Sequence, residues 1–241
     1  MPTLNFLSVM MIKRITKLRC LVFVLSFCSI LYELLFAQGL AAFLENTVLR
    51  YSVTIGLYMF SLGFGSLFAD GRLQKKMCST LIGVEVLLCF IGGFSLVWLF
   101  AFEFLSMPRV VFMLLVHGLI MLVGFLSGME LPLLIELSNQ ERPHQENMSL
   151  GLNYVGAFIG TMCFAFIFYP RCGLLASSFF VGFLNVIAAV VLLMDHDFKE
   201  KATRAQFKFW RFVCAGFFVL LLGCLVASGP LDNFFINTYI G

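Results

Sequence analysis

The sequence predicts an all-α fold: a polytopic membrane bundle of about seven transmembrane helices with its N-terminus in the cytoplasm. Three observations carry that expectation. The chain is 61% hydrophobic and only 12% charged over 241 residues, whereas a soluble domain carries roughly a quarter charged residues. Its apolar runs reach the roughly 20 residues that cross a bilayer as a helix. Its basic residues fall almost entirely in alternate connections. Thirty phenylalanines exceed what a soluble core of this size would pack.

Taken in order, residues 1–19 form a basic segment that ends in Lys13, Arg14, Lys17 and Arg19. A signal peptide begins in the same way. The following run from Cys20 to Leu44 is too long for a signal h-region and contains Glu33, so an uncleaved anchor is expected. The seven spans are read at 20–44, 51–69, 77–102, 109–135, 151–169, 173–194 and 209–228. Together they make a 20–228 transmembrane domain, and 229–241 is read as a short external tail. No connection is long enough to hold a soluble domain. Counting Lys and Arg in alternate connections gives thirteen on one side and three on the other, Arg50, Arg109 and Arg171. By the positive-inside rule the N-terminus is cytoplasmic and the C-terminus outside, in an inner or plasma membrane.

Polar residues inside the spans repeat at helical spacing. Ser26, Ser29 and Glu33 share a stripe, as do Thr54, Tyr58, Ser61 and Gly65. Asn153, Gly156 and Gly160 form another, and so do Ser178, Gly182, Asn185 and Ala189. Gly124 and Gly128 follow His117 on the fourth span. Small residues let helices approach and hydroxyls bond across them, so packing accounts for such stripes without a ligand.

The carboxyl groups at membrane depth are the candidate site. Glu33, Glu85 and Glu130 lie within spans that hold no Lys or Arg to pair with them. A charged carboxylate there costs several kcal/mol unless it is paired or faces water. Each is therefore protonated and hydrogen-bonded in place, or lines a wet cavity that accepts a cation. Glu85 is placed nearer an interface than the other two. His117 sits about 220° around its helix from Glu130 at 100° per residue, so the two do not share a face. Tyr32, Tyr58 and Tyr154 would offer aromatic faces to such a cation, and Asn153 a hydrogen-bonding group. Pro132, in SGMELPLLIEL, removes a backbone donor and bends or breaks the helix beside Glu130. Both an ordinary kink and a broken helix at a binding site stay open.

Other chemistry is missing from the inventory. His117, His144 and His196 are far apart, with no H-E-x-x-H or Cys/His spacing, so no metal site is expected. No G-x-S-x-G occurs. Eight cysteines are scattered as apolar filler, and only Cys163 and Cys172 merit a check for a disulfide. No catalytic residue, cofactor or nucleic-acid partner is expected.

The runs SILYELLFAQGLAAFLENTVLRYSVTIGLYMFSLGFGSL, GMELPLL and GLNYVGAFIGT resemble the membrane domain of transmembrane (fused) spermidine synthase-like proteins. The resemblance spans about residues 20–195, and its most specific parts are Tyr32-Glu33, Asn46–Leu67, Gly128–Pro132 and Asn153–Gly160. In that family the spans precede a cytoplasmic aminopropyltransferase-like domain, which binds a decarboxylated S-adenosylmethionine-type cofactor. No strand with a Gly-rich turn and downstream acid is found here, and the G-x-G at Gly63 and Gly65 lies inside a span. The chain is thus expected to lack the aminopropyltransferase domain, and an enzyme activity of its own is left open. Two functional expectations follow. One is a module that binds or moves a small organic cation such as a polyamine through Glu33, Glu130 and Glu85, with Tyr32, Tyr58, Asn153 and Tyr154. The other is a non-transporting membrane subunit for an aminopropyltransferase-like or other partner. The lipid bilayer is a partner in both.

Overall fold

The computed structural model describes residues 2–43, 47–69, 77–105, 107–194 and 204–229. Among them the chain forms helices and no strand. The connections DGRLQKK and 195–203, the Glu45-Asn46 corner and the tail from 230 onward lie outside the described residues.

Helix α1 runs Pro2–Phe43 and α2 Thr47–Ala69. The basic N-terminal segment thus continues straight into the first apolar run as one helix. The expected third span is two helices, α3 (Met77–Ile91) and α4 (Ser95–Phe104), bent by 43° between them. Gly92 and Gly93 make the break, where both amides converge on the Leu88 carbonyl. Glycine has the weakest hold on helical backbone, and the freed Gly93 carbonyl accepts the Ser178 hydroxyl at 2.7 Å. A polar partner for loosened backbone is what an apolar surrounding demands.

Helix α5 spans Arg109–Glu141 and passes through Pro132 without interruption. The broken-helix alternative at Pro132 is therefore not what the chain adopts. Helix α6 (Glu146–Cys163) continues through a wider π-helical stretch, Phe164–Cys172, before α7 (Gly173–Leu193), and α8 covers Arg204–Val226. Residues 146–193 form an unbroken helical run of 48 residues, but not a straight one. The rings of Phe168 and Phe180 meet at 5.0 Å, whereas twelve residues of straight helix would hold them about 18 Å apart. The chain turns back at Pro170 and Gly173. Gly173 has φ 80° and ψ 171°, backbone that a side chain would oppose.

Five helical stretches are long and apolar enough to cross a membrane, and the bent α3–α4 pair makes a sixth. With 146–193 taken as two legs, seven segments of membrane length are present among the described residues. Arg14 pairs with Glu141, and Arg19 donates to Gln145 Oε1 at 2.9 Å. The start of α1 therefore meets the α5–α6 corner, and Cys78 beside Leu192 brings in α3 and α7. Arg14, Lys17, Arg19, Arg142, Arg204, Lys208 and Arg211 gather at this end, while Arg50, Arg109 and Arg171 fall at the other. None of the eight cysteines, Cys163 and Cys172 included, is in a disulfide.

Two seams hold the core. A methyl group at Gly65 would strike the Phe125 carbonyl oxygen at 2.0 Å, and one at Gly128 the Leu62 oxygen at 2.1 Å. Helices α2 and α5 therefore run backbone against backbone. Gly156 and Gly160 give α6 the same closeness to α1, at Phe23 and Ile30. Small residues make such approach possible.

Candidate functional site

Between these two seams lies a cavity of about 400 Å³. Helix α1 brings Ser26, Ser29 and Glu33 to it; α5 brings Ser127, Gly128 and Glu130; α2 brings Ser66 and α6 Asn153 and Tyr154. Each set follows from helical spacing. Ser26, Ser29 and Glu33 stand at i, i+3 and i+7, and Ser127 and Glu130 at i and i+3, so each set faces one way. The cavity lies in the half of the bundle nearer the basic end, level with the first turns of α6.

Glu33 and Glu130 are each 4% exposed and share this cavity. Asn153 is half-buried beside Ser26, whose hydroxyl also stands 2.7 Å from the Val22 carbonyl. One hydroxyl proton serves only one of these oxygens, so the Asn153 amide turned to present Nδ2 satisfies both contacts. Tyr154 is 70% exposed and stands at the rim.

Three other candidates lie behind the wall. Tyr58 is fully buried, donates to the Ser29 carbonyl at 2.9 Å and stands 3.2 Å from Ser127 Oγ. Tyr32 is fully buried, and its hydroxyl reaches the Leu88 carbonyl at 3.2 Å. Its ring fills the space a side chain at Gly92 would need. Both tyrosines spend their hydroxyls on backbone, and neither presents an aromatic face to the cavity. Glu85 is not near an interface but wholly buried, facing Glu130 from α3. Glu85 Oε1 and Oε2 and Glu130 Oε1 are buried without a hydrogen-bond partner among the described residues, so the two carboxyls lie beside one another unsatisfied. His117 donates from Nδ1 to the Met113 carbonyl of its own helix, 2.6 Å away, and takes no part.

Ser127 and Ser66 complete the polar lining; like Ser26 and Ser29, which the sequence placed only in a packing stripe, they were not among the expected site residues. Ser127 was legible one turn before Glu130. Ser66 follows Met59 and Leu62 at i+7 and i+4, a stripe that carries no polar signal until its last residue. Among the described residues no group of His, Cys, Asp or Glu has metal-binding geometry.

Comparison with known proteins gives the chain relatives but no structural neighbour. A polyamine aminopropyltransferase of Leptospira interrogans is 34% identical over 178 residues, which is 73% of this chain and 35% of the relative. Polyamine aminopropyltransferase 1 of Streptomyces coelicolor is 31% identical over 72% of this chain and 33% of its own length. Polyamine aminopropyltransferase 2 of Aquifex aeolicus is 29% identical over 74% and 36%. The chain thus spans about a third of the length of the curated relatives it matches. No family model matches it. No solved structure matches it either.

These names overturn the functional expectation drawn from the buried carboxyls. The relatives are named as enzymes of polyamine aminopropyl transfer. They point to an enzyme rather than to a module that binds or moves organic cations. The physical reason lies in the wall of the cavity. Glu85 is buried behind the wall and does not line the cavity, and both tyrosines are committed to backbone, so three of the expected ligand groups face no cargo.

Proposed function

We propose that this chain forms the membrane-embedded helical part of an enzyme of the polyamine aminopropyltransferase kind. In this reading the enzyme moves an aminopropyl group from a decarboxylated S-adenosylmethionine-type donor to a polyamine acceptor. The single observation that carries it is the 34% identity to the Leptospira protein over 73% of this chain. The sequence resemblance at Tyr32-Glu33, Gly128–Pro132 and Asn153–Gly160 points the same way, and Glu33, Gly128, Glu130 and Asn153 of those stretches line the cavity. The chemistry belongs to the larger share of such an enzyme, the part that the match to this chain leaves out. The helices hold that part at the membrane, with the basic end of the bundle in the cytoplasm. In this reading Glu130, Glu85, Tyr32, Tyr58 and Asn153 serve the bundle by fixing the register of α1, α2, α3, α5 and α6, while Glu33 lines the cavity and Tyr154 stands at its rim.

The test is capture. Native membranes producing this chain with an affinity tag are solubilised in mild detergent, and the captured fraction is given labelled decarboxylated S-adenosylmethionine and a diamine. The expected result is labelled polyamine formed by the captured fraction. Activity that stays wholly in the unbound fraction would overturn the reading.

A further inference from the structure

Away from the carboxyl cavity, the face built by α1, α7 and α8 carries two apolar grooves side by side. One, of about 580 Å³, lies between α7 and α8 and is lined by Ile187, Val191, Phe207 and Phe218, with Arg211 in its wall. The other, of about 560 Å³, lies between α1 and α7, and Lys17 stands among its lining residues. Ile187 and Val191, one turn apart on α7, belong to both, so a single ridge separates them. Both basic residues are at the same end of the bundle, the end where Arg14 meets Glu141. Arg204, Lys208 and Arg211 are exposed at i, i+4 and i+7 and form one stripe on α8. Among the described residues no acidic side chain lines either groove.

We infer that this face binds an acidic phospholipid with two acyl chains. The chains lie in the two grooves astride the Ile187–Val191 ridge, and the phosphate is held between Lys17 and Arg211. The match is one of both shape and charge. Two apolar grooves that share the Ile187–Val191 ridge suit a molecule with two tails joined at one head. Basic residues between helices at the cytoplasmic end are where acidic headgroups are recognised. Long basic side chains at that depth reach toward the headgroup layer while their stems cover apolar surface. Helix α8 buries only Cys214 and Leu221 among its described residues, so a lipid in the groove supplies packing that the protein does not.

The experiment is native mass spectrometry of the detergent-purified chain titrated with dioleoylphosphatidylglycerol or dioleoylphosphatidylcholine, which differ in headgroup alone. Phosphatidylglycerol is expected to remain bound in preference, and glycerol phosphate without tails is expected not to displace it. The double variant Lys17→Gln/Arg211→Gln is expected to bind it about thirtyfold more weakly, the effect of two basic side chains near an acidic surface. Both side chains are exposed, so helix content and melting stay unchanged in that variant. A second variant, Ala215→Trp, fills the α7–α8 groove with every charge kept and is expected to lose the lipid as well. Equal retention of the two lipids would overturn the proposal. So would undiminished binding in the double variant, or displacement by glycerol phosphate alone.

Discussion

The two sides of this bundle are held by different means. On the α1–α2–α5–α6 side, helices touch backbone to backbone at Gly65, Gly128, Gly156 and Gly160, and hydroxyls and carboxyls are buried between them. On the α8 side, glycines 216 and 223 have no atom within 4 Å of where a side chain would begin, and large apolar residues such as Phe212 and Val219 face outward. Both sides are apolar in composition, yet only one is a core. In a membrane the apolar residue has no reason to hide, so small and polar residues mark the inside.

The largest effect that sharpens this contrast is expected from Gly128→Leu. Its first added atom would overlap the Leu62 carbonyl, which cannot move without separating α2 from α5. A loss above about 3 kcal/mol is expected, at the upper end of overpacking costs. Thermal melting in detergent, followed by gel filtration, reads it as a collapse of the folded fraction. A melting point near that of the unaltered protein would mean the seam is looser than described.

Next is Tyr58→Phe, which keeps the ring and removes the hydroxyl that serves the Ser29 carbonyl and Ser127. About 1–2 kcal/mol of destabilisation is expected for a buried hydrogen bond lost with its acceptor left in place. The same melting assay checks it, and no change would show that Ser29 and Ser127 find other partners.

Glu130→Gln is expected to raise the melting temperature slightly, by an amount worth about 1 kcal/mol. The amide brings its own donor to the buried Glu85 carboxyl, whose two oxygens otherwise have no hydrogen-bond partner. A fall in melting temperature would argue for a partner other than Glu85. The smallest effect, within about 1 kcal/mol, is expected from Gly216→Ala on the rim, where alanine favours the helix and meets nothing.

The inward faces were legible in the sequence where polarity or smallness gave a reason for them. Thr54, Tyr58, Ser61 and Gly65 lie on the buried stripe of α2, and Ser178, Gly182, Asn185 and Ala189 are all buried within the wider inward face of α7. Spacing along one helix says which residues share a face but not which helix that face meets. The encounter of Glu85 with Glu130 was illegible for that reason. The break at Gly92–Gly93 escaped because both flanks are equally apolar, and its marker is the Ser178 hydroxyl from another helix. Pro132 and Pro170 show the same limit. The first sits inside a continuous α5 and the second precedes a reversal, because Gly173 at positive φ follows only the second. Function was the least legible level, since a carboxyl buried behind the wall, as Glu85 is, looks the same in sequence as one that lines the cavity, as Glu33 does.

The most direct test of the account is the rate of aminopropyl transfer in membranes from cells deleted for this chain. The account predicts that the rate falls to background and returns with the unaltered chain or Gly216→Ala, but not with Gly128→Leu. A membrane-associated rate that is the same with and without the chain would contradict it.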